Sequence, residues 1–174
     1  MSITGTVREL YIPLADYPHV KSDATLRDVF AVLHASCSSA ELFKSILVVD
    51  ERDRLVGMLG LKNLLHALLP DYLRSSVKFQ GAGDDLSALA ALWQDDCVEA
   101  FHSAHKIFVR DHVVPLPNTI QADDPLVKAV FIFATAAVNL LPVTDGQRVI
   151  GVLRLVAIID EVTSEILSEQ VVKA

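Results

Sequence analysis

The residues able to do chemistry are few and scattered. His102 and His105 lie three apart, with His112 further on and Asp95-Asp96 before them. Imidazole and carboxylate donors in such a set suit a divalent metal. The spacing arises readily by chance, however, and these residues straddle a segment boundary, so no metal is expected. His19 and His34 have no nearby nucleophile at a diagnostic spacing. There is no Gly-x-Ser-x-Gly elbow, HExxH pair, phosphate-binding loop or dinucleotide fingerprint. Cys37 and Cys97 stand far apart, in no CxxC pattern, and read as reduced, partly buried thiols. Trp93 reads as a core residue and not as a stacking platform. Catalysis has no candidate residues, and a non-enzymatic protein is expected.

Composition narrows the class further. The 174 residues are 52% hydrophobic, with a mean hydropathy of +0.40. That is apolar for a soluble chain, and part of the excess is expected to lie in a subunit interface. A net charge of −7 argues against a nucleic-acid partner, which needs a basic face for phosphates. The N-terminus has no apolar core of signal-peptide length. The longest uncharged run, Ala129 to Thr144, contains Asn139 and Pro142 and falls short of the ~20 residues that span a bilayer. No membrane association and a cytoplasmic location are expected.

The elements that must position any site come as a repeat. Ile46 to Leu69 holds two β-rich runs, a charged turn, a glycine and an apolar-periodic helix, and Leu140 to Val162 holds nearly the same. Val7-Arg8-Glu9 matches Val109-Arg110-Asp111, and Val20, Asp23 and Leu26 match Ile120, Asp123 and Leu126. Asp50 matches Asp145, and Gly57 matches Gly151. The first copy is longer between Pro13 and Val20 and around Ser36 to Ser45, both loop-like places.

Each copy predicts an extended piece (His19 to Lys21, or Thr119 to Gln121) and then a helix. Asp23 and Thr25 with Asp28 announce the helix in the first copy, and Asp123-Asp124-Pro125 in the second. Strands follow at Ile46 to Val49 or Leu141 to Thr144, and return at Leu55 to Leu59 or Val149 to Leu153. A second, amphipathic helix closes each copy, with Leu61, Leu64, Leu65, Leu68 and Leu69, or Leu155, Ile158, Ile159, Val162 and Ile166, on one face. The run Leu126 to Val138 carries one charge, Lys128, and is apolar nearly all round. Such a helix needs outer cover, which another subunit would supply.

Between the copies, residues 70–85 are polar, with Gly81 and Gly83, and read as a loop. Leu86, Leu89, Trp93, Cys97 and Phe101 then mark an amphipathic helix or two short ones, expected to pack across the repeats or on a partner. The tail extends the last helix and frays.

Two β-α-β-β-α units in register, each with a strand such as LVVD or LPVTD, a short turn and then RLVG or RVIG, resemble the cystathionine-β-synthase (CBS) domain pair. The resemblance places one repeat at 6–69, a loop and helical insert at 70–106, and a second repeat at 107–168. It implies an α+β fold in which the repeats pack sheet to sheet as a pseudo-twofold module. Two such modules commonly form a disc-like homodimer through helices of both repeats. The clefts between paired units bind adenosine-containing ligands, and the module senses and does not catalyse.

Adenosine-binding members of the family often carry Gly-x-x-Ser/Thr-x-x-Asp where the strand meets the helix. The hydroxyl and the helix N-terminus hold phosphate, and the aspartate takes the ribose hydroxyls. Here the first copy has Gly60 and Asn63 at the last two positions, and the second has Arg154 and Ala157. Asn63 can bond a hydroxyl, without charge assistance, or lie idle on the helix surface. Arg154 can meet a phosphate or simply be solvated. The expected ligand-binding residues are His19, Val20, Leu47, Gly60 and Asn63 in the first copy, with Ile120, Pro142 and Arg154 in the second. An adenine nucleotide is the ligand considered. The reading is a regulatory module that signals to an unidentified protein partner. Its alternative is a ligand-free dimerisation or interaction module with the insert helix as the partner surface.

Overall fold

The structure is a computed structural model and describes residues 4–36, 45–76, 85–116 and 118–168. Cys37, Gly81, Gly83, the side chains of Leu86 and Leu89, and the tail beyond residue 168 lie outside the described residues. In chain order the elements are β1 (Ile12–Pro13), β2 (His19–Lys21), α1 (Leu26–Ser36), β3 (Ser45–Val49), β4 (Leu55–Gly60), α2 (Leu61–Leu68), α3 (Asp71–Ser76) and α4 (Asp85–His102). Then come β5 (Ile120–Gln121), α5 (Leu126–Thr135), β6 (Leu140–Asp145), β7 (Arg148–Arg154) and α6 (Leu155–Ser168). The fold is α+β, with two sheets and six helices among the described residues.

The compact units cut across the order of the sequence. One comprises Met1–Tyr17 with Leu116–Ala174, the other Pro18–Pro115. The leading segment of each copy therefore folds into the unit built on the other copy's strands. In the second unit, β2 pairs parallel to β3, and β3 antiparallel to β4. The segment after α4 then returns, and the Met58 and Val114 backbones exchange two bonds of 2.9 Å. In the first unit, β5 pairs parallel to β6, β6 antiparallel to β7, and β1 closes the edge against β7 with Ile12 opposite Val152.

The backbone bonds that seat the two leading segments correspond one for one. Val7 N–H donates to Asp124 O at 2.9 Å, and Val109 N–H to Ala24 O at 2.9 Å. Arg8 N–H donates to Ala122 O at 2.8 Å, and Arg110 N–H to Ser22 O at 3.1 Å. Leu126 N–H, at the start of α5, reaches Gly5 O at 3.0 Å, and Leu26 N–H, at the start of α1, reaches Ile107 O at 2.9 Å. These last two bonds satisfy donors that a helix start leaves open. Val7 and Val109 carry no exposed surface and sit in the two helix-facing cores. Burying each contributes about 1.5–3 kcal/mol.

The repeated glycines follow from this closure. A Cβ on Gly57 would lie 2.5 Å from Val114 O, and one on Gly151 would lie 2.2 Å from Ile12 O. Both positions admit no side chain while the returning backbone is in place. Gly146 is a glycine for another reason. Its φ is +60°, a left-handed turn residue with open space around it. Asp53 takes the same role in the β3–β4 hairpin at φ 58°. That turn is tied by Asp50, whose carboxylate accepts from Arg52 N–H (2.8 Å), Arg54 N–H (2.9 Å) and Arg54 Nε (2.8 Å). Chiefly the Arg54 backbone and side-chain bonds hold the Asp50 pKa down at about 2.

The helix signals of the sequence are visible at α1. Thr25 N–H donates to Asp28 Oδ2 at 2.8 Å, and Asp28 N–H to Thr25 Oγ1 at 3.4 Å, a reciprocal cap. Other expectations need correction. Residues 71–76 form the helix α3 and not a loop. Pro70 precedes it, its carbonyl accepts from Leu73 and Arg74 N–H, and Leu73 is buried. A polar composition concealed that single apolar anchor.

The leucines of α2 do not share one buried face. Leu64, Ala67 and Leu68 point inward, while Leu61 and Leu65 are exposed. In α6, Ile158 is buried, whereas Ile159 and Ile166 are exposed. Five apolar residues span a wider arc than one sheet face can cover. The insert helix is one helix, α4. Its Trp93 is only half-buried and belongs to neither core, contrary to the expectation of a core tryptophan.

The closure makes a specific prediction. Gly151→Ala should lower stability by about 1–3 kcal/mol through a backbone clash. Gly146→Ala should cost only the price of a left-handed alanine, about 1 kcal/mol. Thermal melts followed by circular dichroism would check both. Equal melting of Gly151→Ala and wild type would mean that β1 does not lie against β7.

Candidate functional site

Of the predicted first-copy residues, His19, Val20, Leu47 and Gly60 lie on one sheet and Asn63 on the helix that follows it. His19, Leu47 and Met58 are in register across β2, β3 and β4. Residues in register share a face. Ile46, Val48 and Leu59 line the helix-facing core, so His19, Leu47 and Met58 project from the other side. Leu47 is fully buried there and His19 is exposed. Val20 alternates away and sits in the helix-facing core. Only its backbone is available on the face that His19 and Leu47 share. Ile120 is placed likewise in the other unit. Met58 is missing from the sequence-derived set, and only the register of β4 against β3 reveals it.

Gly60 and Asn63 stand at the junction of β4 and α2. Gly60 is extended (φ −78°, ψ 160°) and precedes the first residue of α2. Its N–H donates to Asn63 Oδ1 at 3.3 Å. Asn63 therefore caps its own helix while its side chain remains exposed. A Cβ on Gly60 would press on Asn63 Oδ1 at 3.1 Å and touch Met58 Cε at 3.8 Å, so among the described residues only the ends of flexible side chains, and no backbone, stand against this position. The site offers a helix N-terminus, a carboxamide NH2 and the exposed Lys62 on the first turn. That set suits an anionic or hydroxyl-bearing ligand.

The second copy places its residues differently. Pro142 is buried and pairs with Val152, as Leu47 pairs with Met58. Leu47 N–H donates to Pro18 O at 3.0 Å, and Pro142 has no N–H for the equivalent bond. Arg154 ends β7, half-buried, immediately before α6. Leu155 N–H is taken by Asn139 O at 3.0 Å. Ala157, at the position of Asn63, leaves no side-chain cap.

Charges reinforce the seating of the leading segments. Arg8 Nε meets Asp123 Oδ1 at 2.8 Å, and its guanidinium lies 3.6 Å from Asp145 Oδ2. The side-chain bond to Arg8, with its charge, holds Asp123 below the usual carboxylate range. In the other unit the Arg110 guanidinium lies 4.4 Å over the Phe108 ring. The repeated Val-Arg-acid motif signalled these residues without signalling their partners. Among the described residues no three His, Cys, Asp or Glu gather as a metal site. His105 Nδ1 lies 3.0 Å from His102 O. The half-buried His112 has its pKa lowered, first by burial and then by Arg74.

Residues 7–70 and 106–164 each match the CBS domain family. The chain belongs to the CBS domain family. Comparison with curated protein sequences finds no match. Among solved structures, this CBS pair is similar to a CBS domain-containing protein of unknown function from Kribbella flavida. That match has TM-score 0.67 and 17% identity, over 91% of this chain and 98% of the other. It is similar to CBSX2 from Arabidopsis thaliana, with TM-score 0.63 and 18% identity over 92% and 95%. CBSX2 has also been solved in complex with AMP. A third likeness is to the CBS domain of a bacterial CNNM/CorC family Mg2+ transporter in complex with ATP, with TM-score 0.63 and 17% identity over 94% and 91%. At these identities the likeness is one of fold. No helix among the described residues is long and apolar enough to cross a membrane.

Proposed function

We propose that this CBS pair is a non-catalytic regulatory module that binds an adenosine-containing ligand beside its first repeat and passes the binding on to a protein partner. The observation that carries the reading is the bare glycine backbone at Gly60, next to Asn63 and the N-terminus of α2. AMP and ATP complexes of similar folds support the ligand class. His19 would flank the base, the fully buried Leu47 would contribute only backbone and shape, and Asn63 would serve a ribose hydroxyl with its NH2. Without a carboxylate the ribose contact is neutral, and affinity is modest. Arg154 in the second repeat would take a phosphate if that repeat binds anything, since Ala157 offers the ribose nothing. Val20, Ile120 and Pro142 would contribute backbone and shape.

A second reading is favoured by Ala157 and by the absence of a hydroxyl at Gly60: a module that has lost its ligand and works as an interaction unit. In either case we propose a homodimer. On α5, Val127 and Phe131 are 58% and 68% exposed, and on the adjoining α6 Val156, Ile159 and Ile166 are exposed too. On the other unit Leu61 and Leu65 of α2 are exposed as well. A single chain leaves these faces to water, which a second copy would exclude.

Thermal shift against AMP, ADP, ATP, NAD, S-adenosylmethionine and cyclic di-AMP separates the two readings. A ligand that binds the native state raises the melting temperature. One of the six should do so, and Asn63→Asp should bind it more tightly. No shift at millimolar ligand would favour the ligand-free module. Light scattering at micromolar protein should report a dimer, and a monomer would contradict the interface assigned to α5 and α6.

A further inference from the structure

We propose that helix α4 is a latched arm, which lifts off α2 while the sheet beneath stays folded and is held down by the bond between Tyr72 and Asp96. The inference stands whether or not a ligand binds beside Gly60. Helix α4 lies against α2, yet none of its described side chains belongs to either core. None of them is buried. Trp93, Cys97 and Ala100 are half-buried, at spacings of four and three, and the others are exposed. That is a single narrow seam on a helix of 18 residues. The shorter α2, by contrast, buries Leu64, Ala67 and Leu68. A helix that hides so little apolar surface opens at lower free energy than the core it rests on.

The arm has a fixed hinge and a separate catch. Beyond α4, the 3-10 turn Ser103–Lys106 packs on α1, and its Ala104 is buried in the helix-facing core. Ile107 O then accepts from Leu26 N–H at 2.9 Å. This end therefore stays in place when the rest of α4 moves. The catch comes from α3, which is seated at the end of α2. Leu73 is buried, and Arg74 Nε donates to Leu69 O at 2.9 Å. From this seat Tyr72 Oη donates to Asp96 Oδ2 at 2.5 Å, a charge-assisted bond that ties the middle of α4 to α3. The same bond pushes the Tyr72 phenol up to about 12, so the donor keeps its proton near neutral pH. Tyr72 is 46% exposed, so the bond can break without opening the core. An element that opens alone is one whose population a signal can shift.

Native-state hydrogen exchange of the full chain, followed by mass spectrometry, tests the arm. Amides of α4 should exchange faster than those of β3. Tyr72→Phe removes the donor and keeps the ring, and it should speed exchange in α4 about tenfold while leaving β3 unchanged. Asp96→Asn breaks the same bond from the other side and should act in the same direction. Asp95→Asn, an exposed neighbour off the latch, should change nothing. Trp93 is the only tryptophan of the chain and sits on the seam, so acrylamide should quench its emission more strongly in Tyr72→Phe than in wild type. Four results would overturn the proposal. These are protection of α4 equal to that of β3 in wild type, unaltered exchange of α4 in both latch variants, acceleration of β3 as large as that of α4, or an effect of Asp95→Asn as large as that of Asp96→Asn.

Discussion

In each unit a returning backbone carbonyl lies where a glycine of the sheet leaves room for it. At Gly151 the carbonyl of Ile12, and at Gly57 that of Val114, occupies the space a side chain would take. Each contact joins a strand of one repeat to the leading segment of the other. Much else follows from that arrangement. The leading segments supply Val7 and Val109 to the two cores. They also provide the carbonyls that accept from the first residues of α1 and α5. A small three-stranded sheet with two helices has little interior of its own, and the borrowed segment enlarges it. One unit, Pro18–Pro115, is a contiguous stretch, and the other joins Met1–Tyr17 to Leu116–Ala174.

That exchange explains which parts of the fold were legible in the sequence. Alternation, turn residues and caps act locally, so β2 to β4, the Thr25–Asp28 cap and the paired hairpins could be read directly. The repetition of Gly57 as Gly151 was visible, but its cause was not, because the carbonyls that need the space are distant in sequence. The same holds for Val7-Arg8 and Val109-Arg110. Near-identical motifs could dock on either repeat with the same bonds, and periodicity carries no information on which. Local composition also misled where one residue outweighed its neighbours. Leu73 anchors α3 within a polar stretch, and Leu61 and Leu65 look like core residues but face outward.

The candidate site was legible to a different depth. Gly60, Asn63, Arg154 and Ala157 could be located by their place after the second strand of each copy. Their use could not. Asn63 closes a bond with Gly60 N–H, so part of its hydrogen-bonding capacity serves its own helix. Val20 and Ile120 belong to the helix-facing cores because strands alternate, and a shift of one residue exchanges the faces. The two repeats are thus unequal at the junction that matters. One presents a bare glycine backbone and a carboxamide, and the other an arginine, an alanine and a proline that removes a donor.

The exchange of leading segments is the claim on which the rest stands, and native-state amide hydrogen exchange tests it most directly. The amides to follow are those of Val7, Arg8 and Leu126 in one unit and Leu26, Val109 and Arg110 in the other. Each donates across the exchanged segments. Their protection should match that of the central strands β3 and β6, since these bonds open only when the unit does. Exchange of these six amides at the rate of unstructured chain, with β3 and β6 still protected, would contradict the account.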